Sequence, residues 1–275
     1  MQSHTVHAPQ SGRGGGIGFV GMAENERKGE NMKEYLLSKM MWPEAQRRLA
    51  EAKTVILPLG STEQHGYHMA TGTDTVVSDY VCLELARRTD SVVLPTLPYG
   101  QVWSAKGFPG TISLRQSTFI EVVKDIVISL EQQGAKQIIL FSGHYGNMQP
   151  SREAARELMD EFDFRNVWHL GYINVSKYNE EFMQTGLWNG KTFHAAELET
   201  SLMLHIAPEL VQMDKAVCEE PEVKPQYELR PVHWKEYSES GLFGDATKAT
   251  AEKGKLFLDR WLDDLTKLIN EHIAI

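Results

Sequence analysis

The sequence predicts an α/β fold: a three-layer α/β/α sandwich with a mainly parallel sheet. Short apolar, β-branched runs at residues 54–59, 91–94, 137–141 and 166–173 alternate with longer stretches of helical periodicity. The run at 137–141 is apolar on both faces, as strands of a parallel sheet covered by helices are. Polar residues of chemical interest cluster just past these runs, where open α/β sheets place their ligands.

In chain order, residues 1–31 are rich in Gly, polar and charged residues, with three glycines at 14–16 and no sustained periodicity. They are expected to form a flexible tail or leader, with Met32 as an alternative start. Residues 32–275 are expected to form a single domain. Trp42-Pro43-Glu44 opens a helix that runs to about residue 52, with Pro where no N–H is needed and an acid at the positive dipole end. Residues 54–59 are a buried strand. Residues 75–88 are a helix with Val77, Tyr80, Val81 and Leu85 on one face, and 91–94 is the next strand. Residues 116–133 form a helix with Phe119, Val122, Val123, Ile126 and Leu130 on one face, stopped by Gly134. The strand at 137–141, a helix at 150–162 and the strand at 166–173 complete the βαβ rhythm. Residues 218–237, rich in Pro, Glu and Lys, are expected to be a surface excursion. From residue 245 a long helix is expected, whose Leu258, Leu262, Leu265 and Ile269 form a stripe for core packing. There is no internal repeat and no linker that would split the chain.

Composition narrows the function. A chain of 275 residues suits one large domain or two small ones, and 41% hydrophobic with 24% charged residues is ordinary for a globular protein. A formal net charge of −9 argues against nucleic acid or an anionic membrane as partner. Cys82 and Cys218 make no CxxC pair, so neither a thiolate zinc site nor a disulfide framework is expected. They suit a reducing compartment, and the expected location is cytoplasmic. No apolar run reaches the roughly 18–20 residues of a membrane span, and no secretory signal is expected.

Three polar clusters carry the chemistry. Ser61-Thr62-Glu63-Gln64-His65-Gly66 follows the first strand, and Gly72-Thr73-Asp74 comes about ten residues later. Glu63, His65 and Asp74 are the oxygen and nitrogen donors that suit Zn²⁺ or Mn²⁺. Alone, a Glu-x-His is most simply a solvated loop. Ser142-Gly143-His144-Tyr145-Gly146-Asn147 follows the third strand, its glycines allowing close backbone approach to a ligand. His194-Ala195-Ala196-Glu197-Leu198-Glu199 is the third; on a helix His194 and Glu197, three apart, share a face, and Glu199 lies on a different side unless the helix starts late. A charged first turn of a surface helix is the alternative. The loop at 98–111, with Ser104 and Lys106, suits a pocket wall and an ordinary loop nearly equally. Trp188, shortly before His194, is a candidate apolar wall or a core residue.

Taken together in this order, these three clusters, Phe108-Pro109-Gly110-Thr111, and Gly244-Asp245-Ala246 with Glu252-Lys253-Gly254 resemble the creatininase family, from about Lys33 to the C-terminus. The resemblance implies a three-layer α/β/α fold and a hydrolase with two divalent ions per chain, Zn²⁺ or Mn²⁺. It assigns Asp74 as the bridging ligand, Glu63 and His144 to one ion, His65 to the other, and His194 as the catalytic His. It also implies a homo-oligomer, commonly a hexamer. Two positions depart from the pattern. Creatinine-hydrolysing members carry a metal-binding Glu where this chain has Gly146, and many relatives have a His where it has Lys106. This places the chain in a branch other than strict creatininase. Glu197 is expected to supply the missing carboxylate, with Glu199 orienting a ligand from behind.

The implied reaction is hydrolysis of a small cyclic polar substrate, a cyclic amide or related C–N bond, by a metal-bound hydroxide. His194 would deliver a proton to the leaving atom. Backbone N–H groups at Tyr145 and Gly146 would hold the oxyanion, and Ser104, Lys106 and Trp188 would contact the substrate. The alternatives are cleavage of a C–C bond in a cyclic diketone of inositol or sugar catabolism, and, in another class, a metal-dependent isomerase or aldolase. The partner is a small molecule in each case.

Overall fold

Four short strands form the central sheet: β1 (Val55–Leu59), β2 (Val92–Val93), β3 (Ile138–Ser142) and β4 (Val167–Leu170). All pair in parallel, in the order β2-β1-β3-β4, with Val55 opposite Ile138 and Leu59 opposite Ser142. This computed structural model describes residues 34–188, 193–222, 224 and 229–274. The expected tail at 1–31 lies outside the described residues.

Among the described residues the α-helices are α1 (Trp42–Glu51), α2 (Thr73–Thr89), α3 (Gln116–Gln132), α4 (Met148–Phe162), α5 (Val175–Phe182), α6 (Glu197–Ile206) and α7 (Ala251–Leu268). Strand alternation sorts them into two layers. Val55, Leu57 and Leu59 of β1 and Ile138 and Leu140 of β3 pack against Leu49 of α1, Phe119 and Val123 of α3, and Leu158 of α4. Ile56, Ile139 and Phe141 point the other way, against Val77 and Val81 of α2, Leu198 and Leu202 of α6, and Trp261 of α7. Period-two side-chain alternation with apolar residues on both faces therefore yields the three layers.

Several boundaries differ from expectation, most of all the last helix, which starts at Ala251 and not at 245. Helix α2 starts at Thr73, not 75, which brings Asp74 into its first turn. Strand β4 stops at Leu170, not 173; the Gly171 carbonyl leaves the ladder and accepts the Trp261 indole N–H at 3.1 Å. The C-terminal stripe packs as expected, with Leu258, Leu262, Leu265 and Ile269 all buried. Among the described residues, no helix is long and apolar enough to cross a membrane.

The residues flanking the 218–237 segment are tied together by a small antiparallel pair, β5 (Cys218–Glu219) with β6 (Gly244–Asp245). Helices α6 and α7 cross with Gly254 against the Ser201 backbone, where an added Cβ would fall on the Ser201 carbonyl. Intrinsic helix propensity favours Gly254→Ala by about 1 kcal/mol. Overpacking against immovable backbone costs about 1–3 kcal/mol. The expected outcome is net destabilisation, read as a lower urea midpoint; a raised midpoint would show that the crossing is looser than described.

Candidate metal centre

The chain leaves β1, crosses through α2 to β2 on one side, and later returns to place β3 on the other side of β1. The carboxyl ends of β1 and β3 thus flank a topological switch point, where α/β sheets open a crevice. Glu63 and His65 follow β1, His144 follows β3, and Asp74 sits in the first turn of α2. Asn147 ties the loops together: its Nδ2 donates to the Gly60 carbonyl (2.9 Å) and its Oδ1 accepts the Gln101 N–H (3.0 Å). The Gly143 N–H donates to Ser78 Oγ (3.0 Å), joining the end of β3 to α2.

Asp74 lies at the centre. Its Oδ2 accepts the Ser61 hydroxyl at 2.6 Å and lies 2.9 Å from His144 Nδ1, while Oδ1 lies 3.2 Å from His65 Nε2. Glu63 Oε2 is 3.0 Å from His144 Nδ1, and Glu199 Oε2 is 3.9 Å from His65 Nε2. Three donor triads result: Glu63–Asp74–His144 and His65–Asp74–Glu199, which share Asp74, and Glu63–His65–His194.

The imidazole orientations show what the site is built to hold. His144 Nε2 lies 2.9 Å from the Gln101 carbonyl and His65 Nδ1 lies 3.1 Å from the Glu63 carbonyl. Carbonyls only accept, so those nitrogens carry the protons, as is usual behind a metal-ligating His. The other nitrogens turn bare lone pairs toward carboxylates. Buried Glu63 Oε2 and His65 Nε2 have no hydrogen-bond partner despite these short distances. Such convergence without donation is stable only with a positive charge between the groups. Without it, protons must serve: burial pulls the His65 pKa down, but Asp74, Glu199 and Glu63 outweigh it and push it up to about 10. Burial likewise opposes ionisation of Asp74, yet His65 and His144 hold it well below the usual range. Burial pushes Glu199 up to about 7. This all-nitrogen-and-oxygen set fits two divalent cations bridged by Asp74.

His194 precedes α6 in extended backbone bridged to Phe243. Its Nε2 lies 2.9 Å from the Gln64 carbonyl and 3.0 Å from the Gln64 amide nitrogen, and its Nδ1 lies 4.0 Å from Glu199 Oε2. Burial and the neighbouring His65 outweigh nearby carboxylates and bring its pKa down to about 4.

These groups face a cavity of about 140 Å³, walled by Gln101, Val102, Trp103, Ser104, Tyr145, Gly146, Phe193 and Trp234. Among the described residues that line it, none is Lys or Arg. Gly146 is required there, because an added Cβ would fall on His144 Nε2 and the Gln101 carbonyl.

Several expected positions are corrected. Glu197 does not reach His65 and Asp74. Its carboxylate accepts the Gln184 N–H (3.0 Å), the Thr185 N–H (2.7 Å) and hydroxyl (2.6 Å), and pairs with Lys253. Glu199, expected behind the ligands, is the carboxylate that joins His65 and Asp74. The reason is helix phase. Ala195 is left-handed (φ 54°), so α6 begins only at Glu197 and His194 lies off the helix. Glu199 then reaches back to accept the Ala195 N–H at 2.6 Å. Lys106 is exposed and Trp188 packs on Phe243 at 4.9 Å; neither lines the cavity. Conversely, the presumed surface excursion sends Trp234 into the cavity wall. Gln101 and Trp103 lie in the 98–111 loop that was open to a pocket-wall reading and does line the cavity, whereas Phe193 and Trp234 carried no sequence signal.

A sequence model of the family described as Creatininase: Creatinine amidohydrolase matches residues 38–269. The creatinine amidohydrolase of Pseudomonas putida is 30% identical over 253 residues, covering 87% of this chain and 97% of that protein. The 3-dehydro-scyllo-inosose hydrolase of Thermotoga maritima is 28% identical over 258 residues, covering 84% and 81%. A mutant creatininase of the zinc–zinc type superposes with a TM-score of 0.79 at 29% identity, covering 88% of this chain and 99% of that one. A manganese creatininase gives 0.78 at 30%, with the same coverage. The chain belongs to the creatininase family and is a metal-dependent hydrolase.

Proposed function

We propose that this enzyme opens a small, uncharged cyclic amide by hydrolysis of its C–N bond. The reading rests on one observation above all: two donor triads share Asp74, and four of their five donors, all but His65, line a cavity of about 140 Å³ that has no fixed cation among its described lining residues. Glu63, Asp74 and His144 would hold one ion and His65, Asp74 and Glu199 the other, zinc or manganese as in the zinc–zinc and manganese creatininases. Three carboxylates leave two divalent ions a single net positive charge, enough for a polarised carbonyl but ill suited to a polyanion. When bound, such ions supply a Lewis acid and lower the pKa of a water toward neutrality.

The chain's own groups then handle protons and position. With the Gln64 carbonyl fixing His194 Nε2, Nδ1 is the nitrogen on the Glu199 side. A neutral imidazole there takes the proton of the attacking water and passes it to the leaving nitrogen. The Tyr145–Gly146 backbone lines the cavity and would steady the developing oxyanion. Trp103, Phe193 and Trp234 exclude water and offer flat apolar faces to a ring. We take the enzyme to be a cytoplasmic homo-oligomer, a hexamer by family resemblance.

Gly146 favours a second reading, hydrolysis of a C–C bond in a cyclic diketone. Strict creatininases carry a Glu at that position, and a relative lies among inosose hydrolases. Incubation with creatinine and hydantoin, against a cyclic 1,3-diketone, separates the two by mass spectrometry. The amide reading expects a ring-opened product heavier by one water from the first pair only.

Metal analysis of the purified protein should find close to two divalent ions per chain. Asp74→Ala should lose both, Glu199→Gln one, and Glu197→Gln neither. Loss of metal in Glu197→Gln with full retention in Glu199→Gln would reverse the assignment. His194→Ala should keep both ions and lose about 10²- to 10⁴-fold in kcat, the usual contribution of a general acid–base; unchanged turnover would place the proton transfer elsewhere.

A further inference from the structure

Trp234 lies in a stretch whose composition reads as solvent-exposed chain, yet its indole is wedged into the active-site wall. Its ring centre is 4.7 Å from the His194 imidazole, tilted by 49°, and 4.7 Å from Phe243 in an edge contact. Three consecutive residues grip the opposite loop. The Trp234 N–H donates to the Ser104 carbonyl (2.8 Å). The His233 ring lies 4.3 Å from that of Trp103, with its Nδ1 donating to the Trp103 carbonyl at 2.9 Å. Lys235 Nζ sits 4.7 Å above the Phe108 ring. Glu236 closes the short turn by accepting the His233 N–H at 3.2 Å. The backbone that carries the indole is therefore fixed against the 103–108 loop, and the ring itself rests on His194 and Phe243.

We propose that Trp234 is a specificity-determining residue: clamped to the Trp103–Phe108 loop, its indole closes the cavity beside His194 and restricts the enzyme to single small rings. This rests on the two-metal hydrolase reading. Substrates enter a space bounded on one side by the metal donors, which cannot move, and on another by an aromatic wall that can be shortened by substitution. Replacing the indole with a methyl group removes the wall while leaving every metal donor in place. The side of the cavity next to His194 then opens to a second ring.

Hydroxamates test this without knowledge of the natural substrate, because they bind through the metal. Zinc-loaded wild type and variants would be titrated calorimetrically with acetohydroxamate and with benzohydroxamate. Wild type should favour the small probe. Trp234→Ala should shift the affinity ratio toward benzohydroxamate by about tenfold or more, the scale of discrimination a shaped apolar pocket gives. Trp234→Phe, which keeps a ring in place, should leave the ratio within about threefold of wild type, below the roughly tenfold at which that scale begins. Trp234→Leu carries the same test with an intermediate shift, should the alanine variant not retain zinc. An unchanged ratio in Trp234→Ala or Trp234→Leu with two zinc ions per chain overturns the inference while leaving the metal reading intact. Absence of bound zinc in wild type and variants alike overturns both.

Discussion

Three carboxylates, those of Glu63, Asp74 and Glu199, are buried within a few ångströms of one another, and the folding of the loops around the sheet is arranged to permit it. Any one of them, ionised and unpaired in the interior, is strongly unfavourable. Two of them have a fixed support. Asp74 accepts the Ser61 hydroxyl and stands in the first turn of α2, where the helix dipole favours a negative charge. Glu199 accepts the Ala195 N–H at the start of α6. Two imidazoles, each tied to a backbone carbonyl on its far side, turn their remaining nitrogens inward. The supports orient the donors but do not neutralise them. The negative potential that remains is what draws His65 and His144 toward protonation, and it is the property that suits the site to cations.

How much of this was legible in the sequence depended on how local the cause was. The sheet and its helices follow from periodicity, and Glu63, His65, Asp74 and His144 stand out because short strands end immediately before two of their loops. The choice between Glu197 and Glu199 was open in the sequence but could not be decided there. It depends on where α6 begins, and that is decided by a left-handed residue at Ala195 and by a bridge between His194 and Phe243. Alanine has no preference for left-handed backbone, so no local signal marks the turn. Trp234 was equally hidden. Composition marked its segment as solvent-facing, and only long-range contacts to residues 103–108 and to Phe243 bring it inward.

Gly146 separates this chain from the creatinine-hydrolysing pattern in a way that packing makes difficult to reverse. The absence of a Cβ is not spare room: the space is already filled by the hydrogen bond from His144 Nε2 to the Gln101 carbonyl. A Glu introduced there would break the very contact that orients a metal donor. The second triad must therefore be completed from another element, and α6 does so through Glu199.

Glu197 then has a different job, for a geometric reason. Residues two apart on an α-helix point about 200° from each other, so if Glu199 faces the metal donors, Glu197 must face away from them. It is nevertheless buried, and it is satisfied by the backbone and hydroxyl of Gln184 and Thr185 and by the Lys253 ammonium. Lys253 adjoins Gly254, the residue that seats α7 against the backbone of α6 at Ser201. One neighbouring pair on α7 thus controls both how closely the helices cross and where the buried Glu197 carboxylate is held. Rotation of α6 that brought Glu197 toward His65 would break the Lys253 pair and withdraw Glu199 in the same movement. The phase of the helix, and with it the identity of the donor at the centre, is held from the side remote from the chemistry.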